Sequence, residues 1–419
     1  MSYIERLQVY SDNIARYSKC HCTTTILMRI RDDIINAMKK GEVTLIAFAD
    51  FSKAFDTVDY SVTIRKLHNI GFSKQALRWS MSYLTDRQQF VQVNDKQSQF
   101  MDVQFGVPQG SILGPVLFNL YVNDMRNSIQ DGFNCHQYAD DTTIYQHCTP
   151  KCLQTCILNM NENMNNLETW AGNCNLLLNE KKTKEMVIAT SQMSTVHNHG
   201  LSTYTPAIKL KNKCIEKVDN FKFLGIWLNE NLTWADNFYN LVPSCYKTLA
   251  TLRRIKNMTP QETKKSLAQS LVLSKLNFND TITYPLPAFL QKKLLRVQNA
   301  AASFVLNRFC SEKDVLEIGW LPTLECTQCN IFKLPHKALH KDTWPSSFAL
   351  IRHNPSQELR SSRATTLQIP LVKGTWQDSA ANLFNGLPKT VRSCTNFSTF
   401  RKETYRIMQA RSSERLIKC

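Results

Sequence analysis

No apolar run in this 419-residue chain approaches the 18 to 20 residues or so that a membrane span requires, so no membrane is expected among its partners. The N-terminus, MSYIERLQVYSDN, has neither a basic start nor an apolar stretch to serve as a signal peptide, and an intracellular protein is the expectation. There is no 20–50-residue repeat and no low-complexity tract, which excludes solenoids and arrays. With 43% apolar and 20% charged residues, the chain is neither a disordered tail nor a mini-protein; it suits two or three globular domains. Its 14 cysteines are scattered over a length able to bury a real core, so they read as free thiols. Cys148, Cys152 and Cys156, at i, i+4 and i+8 after Thr149-Pro150, are expected to line one helix face.

Acidic residues are scarce in one half only. Residues 1–210 hold 20 Lys and Arg against 19 Asp and Glu, whereas 211–419 hold 31 against 15. A polyanion held by the second half, with chemistry needing carboxylates in the first, fits this asymmetry; a merely solvated basic surface is the plainer alternative.

Periodicity predicts a helix over 23–40 ending at Gly41, then VTLIAFA (43–49) as a strand buried on both faces with Asp50 at its end. Helices follow from Val58 to Asn69, with Gly71 as stop, and from Ser73 through Leu84. Residues 88–105 read as a hairpin turning at Asn94-Asp95 and lead into GVPQGS; a helix is expected at 112–123. A second hairpin at 133–146 flanks Ala139-Asp140-Asp141, and 151–170 is a helix with Leu153, Cys156, Met160, Met164 and Leu167 inward. Mixed elements in this order predict an α+β domain. From about 240 the pattern is mainly helical, with basic clusters at 253–256, 292–296 and 401–418, and the polar stretch 342–365 reads as a linker or mobile loop.

Three elements in fixed order carry the chemistry: FADFSKAFD (48–56), GVPQGSILGPVLFNLYVND (106–124) and YADD (138–141). A lone Asp at a strand end is usually a cap and a lone Asp-Asp pair a solvated turn; together they suit nucleotidyl transfer. That reaction uses two divalent ions about 3.5–4 Å apart, and Mg²⁺ takes oxygen ligands on rigid elements. Asp50, Asp140 and Asp141 supply such a set, with Mn²⁺ as a possible substitute.

With these motifs the chain resembles the reverse transcriptases of LINE-type, non-LTR retrotransposons of the jockey-like kind, closely over about residues 10–235. The resemblance implies a right-hand polymerase palm, an antiparallel sheet with helices, with partial fingers. A mainly helical thumb and a basic C-terminal region follow. It implies an RNA-directed DNA polymerase whose partners are an RNA template, a DNA primer and deoxynucleoside triphosphates; its oligomeric state is left open. Asp50, Asp140 and Asp141 become metal ligands, the adjacent pair not necessarily contributing equally. Phe55 lies under the incoming sugar, or is a core aromatic; Gln109 and Gly110 lie at the forming base pair, with Gly106 and Gly110 letting the backbone approach a ligand. Lys182 stands near the leaving pyrophosphate, or is a solvated lysine, and Leu224-Gly225 centres a hairpin resembling the primer grip. Arg253, Arg254, Lys256, Lys292, Lys293 and Arg296 are expected on phosphates.

The expected domains are 1–235 for fingers and palm, 236–341 for the thumb-like region, 342–365 for the linker and 366–419 for the basic C-terminal region. Cys326-x2-Cys329 with His336 and His340 has near zinc-knuckle spacing but carries a Pro within it, which favours packing. Two departures from the family stand out: no endonuclease domain or fuller fingers precede Met1, and Ser18 follows Tyr17 where members commonly place an Arg, with Arg16 or Lys19 as substitutes. The alternative function is therefore a folded, catalytically inactive remnant that binds nucleic acid; an RNA-templated RNA polymerase is disfavoured by YADD and Phe55. Nuclear residence is an analogy to how such elements insert.

Overall fold

The computed structural model describes residues 22–196, 208–340, 350–351 and 366–418. Within them the chain forms two compact units, one holding 22–26 and 40–219, the other 27–39 and 220–418. Residues 16–19, and all of the 342–365 stretch except Leu350 and Ile351, lie outside the described residues.

The first unit is built on the strand predicted at its heart. VTLIAFA becomes β1 (Val43–Ala49), and all seven residues are buried. Such an apolar run needs cover on both faces and a hydrogen-bonding neighbour on each edge. The other strands are β2 (Asn134–Tyr138), β3 (Asp141–Cys148), β4 (Lys184–Ile188) and β5 (Glu216–Lys217), giving the order β5-β4-β1-β3-β2. All pairings are antiparallel except that of β5 with β4. The helix Leu153–Asn173 buries Cys156, Met160, Met164 and Leu167 in the same core as Leu45, Ala47 and Ile144. The architecture is mixed α+β, as expected.

Local signals set the ends of these elements. The helix after β1 starts at Tyr60 rather than Val58, because the Asp59 carboxylate accepts a hydrogen bond from Val62 N at 3.0 Å and so caps it. The 88–105 segment forms two short ribbons, Arg87–Gln89 with Met101–Val103 and Gln92–Val93 with Lys96–Gln97, turning at Asn94. One expectation fails. Cys148 ends β3 and packs against the core, where its thiol meets that of Cys156, while Cys152 lies exposed in a 3-10 turn, so the three thiols share no helix face. Pro150 starts a tight turn that reorients the chain before the helix, which removes the register their spacing suggests.

The second unit is mainly helical. Its principal helices are Ala235–Arg253, Gln261–Ala268, Ala288–Leu306, Thr323–His340, Trp376–Asn385 and Phe397–Lys418. It also takes in the hairpin of β6 (Asn220–Phe223) and β7 (Ile226–Asn229), so the contact boundary precedes that hairpin instead of following it at 235. Most of the helix Thr23–Lys39 belongs here as well. Its buried Arg31 donates to the carbonyls of Tyr284 (2.9 Å) and Gly374 (2.7 Å), and the Asp32 carboxylate accepts Trp376 N at 2.9 and 3.0 Å. These bonds satisfy polar groups that would otherwise be costly to bury.

Burial raises the Asp32 carboxyl to about 6, and does the same for Asp280. A carboxyl raised in the folded state contributes stability that is fully present below its unfolded value and lost as pH rises through the folded one. Relative to Asp32→Asn, the wild type is therefore expected to lose on the order of 2–3 kcal/mol between about pH 4 and 6.5. Thermal melts of the two proteins across that range check this; a pH-independent difference would contradict it.

Candidate active site

The register of β1 and β3 sets the site. Ala49 pairs with Thr142, so Asp50, one residue beyond, and Asp141, one residue before, come to the same sheet end on adjacent antiparallel strands. Tyr138 pairs with Asp141, which leaves Ala139-Asp140 as a two-residue turn between β2 and β3. Ala139 has φ 59°, and Gln137 Nε2 donates to its carbonyl at 3.0 Å. A two-residue hairpin turn needs such a left-handed residue. Asp140 is half-buried at the tip and Asp141 exposed.

Asp50 is tied down through its backbone. Its carbonyl accepts Asn179 N at 2.8 Å, and Phe51 bridges to Leu178, docking the segment ahead of β4 alongside. Asn179 Oδ1 in turn accepts the amides of Lys181 (3.2 Å) and Lys182 (3.3 Å), a local turn that directs Lys182 toward the site. Lys182 Nζ stands 3.4 Å from Asp50 Oδ2. That oxygen is buried and accepts no hydrogen bond among the described residues.

The glycine-rich segment packs on the chain just beyond Asp50. Gly106 N donates to Val58 O at 2.8 Å and Val107 N to Phe55 O at 2.9 Å. At Gly106, φ is +86°, and a Cβ would lie 2.8 Å from both Cα and O of Asp56. The close approach that Gly106 permits is thus made to Asp56, whereas the sequence reading assigns it to a ligand. Gly110, also at positive φ, has open space beside it. Gln109 Nε2 donates to Asp56 Oδ1 at 2.7 Å, so one amide hydrogen is already engaged. Phe55 is half-buried and stacks on buried Phe118, with ring centroids 4.2 Å apart. Arg87, which the sequence reading passes over, donates to Gly106 O and to Tyr60 Oη at 2.6 Å each, bracing this loop.

Asp50, Asp140 and Asp141 share an edge without closing round one point: among the described residues no three His, Cys, Asp or Glu side chains gather tightly enough to enclose a metal ion. The donor set nevertheless suits a hard cation. It is all oxygen, it lies at strand ends and the turn between them, and Asp50 Oδ2 faces the Lys182 ammonium at 3.4 Å while accepting no hydrogen bond among the described residues. The candidate zinc set is engaged otherwise. Cys326 Sγ donates to Asn277 Oδ1, Cys329 Sγ to Thr404 O, and His336 Nε2 is 3.0 Å from Cys394 O. Burial pushes the two thiols to about 11 and 12, which keeps them protonated.

In the second unit, Leu224 (φ 46°) and Gly225 (φ 86°) form the β6–β7 turn. A Cβ on Gly225 would lie 2.8 Å from Phe278 Cε1, so the glycine admits that ring. Arg253 at the end of its helix, Lys256 in the turn that follows and Arg296 on the helix Ala288–Leu306 line a cleft of about 700 Å³ together with Arg308 and Tyr246. Arg308 is missed by the sequence reading; it pairs with Asp314 and Glu317. Of the remaining predicted cations, Lys293 Nζ sits 4.5 Å from the Tyr239 ring centre, while Arg254 and Lys292 are exposed outside the cleft.

This geometry, carboxylates at the end of an antiparallel sheet beside a glycine-rich loop, has a family match. The family model described as "Reverse transcriptase (RNA-dependent DNA polymerase)" matches residues 2–228, more than half of the chain, and the chain belongs to that family. Its curated relatives are polymerases of non-LTR retrotransposons. It is 27% identical over 227 residues to the RNA-directed DNA polymerase from mobile element jockey of Drosophila melanogaster, covering 53% of this chain and 23% of that protein. To the probable RNA-directed DNA polymerase from transposon BS of the same species it is 25% identical over 258 residues, covering 60% and 27%. The chain thus spans about a quarter of the length of these relatives. Among solved structures, the telomerase from Candida albicans in complex with a fragment of telomeric RNA matches at TM-score 0.37 and 14% identity, over 79% of this chain and 54% of that one.

The two loop glycines can be told apart experimentally. Ala at Gly110 is expected to cost about 1 kcal/mol for its positive φ alone. At Gly106 the added methyl also meets backbone, and the loss measured by urea denaturation is expected to be larger, on the order of 3 kcal/mol.

Proposed function

We propose that this chain is an RNA-directed DNA polymerase, adding deoxynucleotides to a primer 3′-hydroxyl on an RNA template. The observation that carries this reading is the pairing of Ala49 with Thr142, which sets Asp50 and Asp141 side by side next to the Asp140 turn. On this reading the first unit supplies fingers and palm and the second a thumb with a basic extension.

Asp50, Asp140 and Asp141 would hold two Mg²⁺ ions, or Mn²⁺ in their place. Such ions, when bound, lower the pKa of an attacking hydroxyl and offset triphosphate charge. The side chains divide the other tasks. Lys182, 3.4 Å from Asp50, offers a cation to departing phosphate oxygens. Phe55, fixed against Phe118, presents a ring edge where a ribose 2′-hydroxyl would clash. Gln109 keeps its second amide hydrogen and its carbonyl for the nascent pair, while Asp56 holds its orientation. Gly110 leaves room for the backbone to approach that pair, and the Leu224-Gly225 turn would steady the primer end. Arg253, Lys256 and Arg296 would neutralise phosphates, with Arg254, Lys292 and Lys293 along the flanks.

Primer extension on an RNA template with Mg²⁺ and deoxynucleotides tests this. Asp50→Ala and Asp140→Ala are each expected to lower extension at least 1,000-fold while leaving template–primer affinity within about threefold. Undiminished extension in either variant refutes the carboxylate roles; absence of product from the wild type with binding intact identifies an inactive, nucleic-acid-binding protein. Separately, Arg253→Glu with Arg296→Glu is expected to flatten the dependence of log affinity on log salt by about two. Titration between 50 and 300 mM salt reads this directly, and an unchanged slope would remove the cleft from the interface.

A further inference from the structure

A second cationic cleft lies in the 220–418 unit, apart from the one already described. It measures about 630 Å³, its walls are the helices Thr323–His340 and Phe397–Lys418, and Lys333, Arg401, Lys402 and Arg406 line it. The cations are only partly spent. Arg406 pairs with Glu403 at 2.7 Å and Lys333 donates to Asn330 Oδ1 at 2.7 Å, while Arg401 and Lys402, both exposed, have no carboxylate partner among the described residues. Such a local surplus of positive charge attracts phosphate oxygens.

Beside this cleft is a smaller pocket of about 320 Å³, lined by Trp320, Gln298 and Asn277. Leu321, Cys326 and Tyr405 line both spaces, so the two adjoin, and Tyr405 is anchored by its hydroxyl to Gly319 O at 2.7 Å. Two of its lining residues, Gln298 and Trp320, are nearly closed to solvent. Gln298, 3% exposed, donates its amide to Leu321 O at 2.7 Å; its Oε1 and the Nε1 of Trp320, 5% exposed, are closed to solvent and have no partner among the described residues. An acceptor and a donor left so in an interior each cost about 1–3 kcal/mol. Tyr405 and Asn277, both exposed, offer this pocket an aromatic face and an amide, which suit a flat heterocycle bearing donors and acceptors.

We propose that these adjoining spaces form a site for a nucleotide unit of single-stranded RNA, the base lying against Tyr405 at the smaller pocket and the phosphates lying along Arg401, Lys402 and Lys333. An aromatic platform beside a cationic groove is what single strands need, because every base has a face to stack and every linkage a charge to neutralise. The site uses neither the carboxylates at the sheet end nor the cleft of Arg253 and Arg296. It therefore stands or falls apart from the polymerase reading.

The test is photocrosslinking of the full chain to an eight-residue oligouridylate carrying 5-bromouridine, mapped by mass spectrometry. Crosslinks are expected on peptides containing Tyr405 or Trp320, reduced at least fivefold in Arg401→Glu/Lys402→Glu and retained in Arg253→Glu/Arg296→Glu. Because Arg401 and Lys402 are exposed, the first double variant is expected to melt as the wild type does. Crosslinks confined to other peptides, or undiminished in that variant, overturn the proposal. Unlabelled oligouridylate is expected to compete; competition by uridine triphosphate at equal nucleotide concentration, with none by the oligomer, would assign the pocket to free nucleotide and overturn the strand assignment.

Discussion

The hydrogen-bond register of one strand governs the candidate chemistry. Because β1 is buried along its whole length, apolar but for Thr44, and paired on both edges, it cannot slide by one residue without exchanging every buried side chain between faces. Asp50 is the first polar residue after that run, and the fixed register of β3 decides which residues lie beside it. The same strand aligns β4, and through the turn at Asn179 it delivers Lys182 to the carboxylate. The carboxylate edge and its neighbouring cation thus follow from seven buried residues that carry no chemistry themselves.

Around that edge, functional side chains are held by contacts made within the protein. Asp56 receives the amide of Gln109 and the close approach of Gly106, so the glycine-rich loop and the segment after Asp50 behave as one piece. Arg87 adds a third anchor by reaching Gly106 O and Tyr60 Oη. Rigid support of this kind leaves Phe55 and Gln109 little freedom.

Much of this was legible in the chain itself. Strand 43–49, the hairpin around Ala139-Asp140 and the inward stripe of the helix beginning near 151 all follow from local period and turn chemistry, and the structure agrees with each. The motif order also pointed to the family that the comparisons identify. What escaped was long-range. Nothing near Arg87 signals that its guanidinium will meet Gly106, and the ring that fills the space at Gly225 belongs to Phe278. The cysteine spacing misled for a local reason: the turn at Pro150 breaks the helical phase that an i, i+4, i+8 pattern presumes.

The helix Thr23–Lys39 has a consequence for the order in which the molecule is assembled. Its Asp32 is bonded to a residue 344 positions later, and its Arg31 to one 343 positions later. During synthesis the helix emerges before β1, yet the groups that satisfy its buried charges are among the last to be made. Until they arrive, the groups around Arg31 and Asp32 stay uncovered, while the sheet of the other unit can already form. The sheet-bearing unit is thus free to mature early, and the helical unit must wait for nearly the whole chain. A message cut short before Trp376 would leave those groups open to misassembly, so for this chain the segment around Trp376 is a requirement of folding.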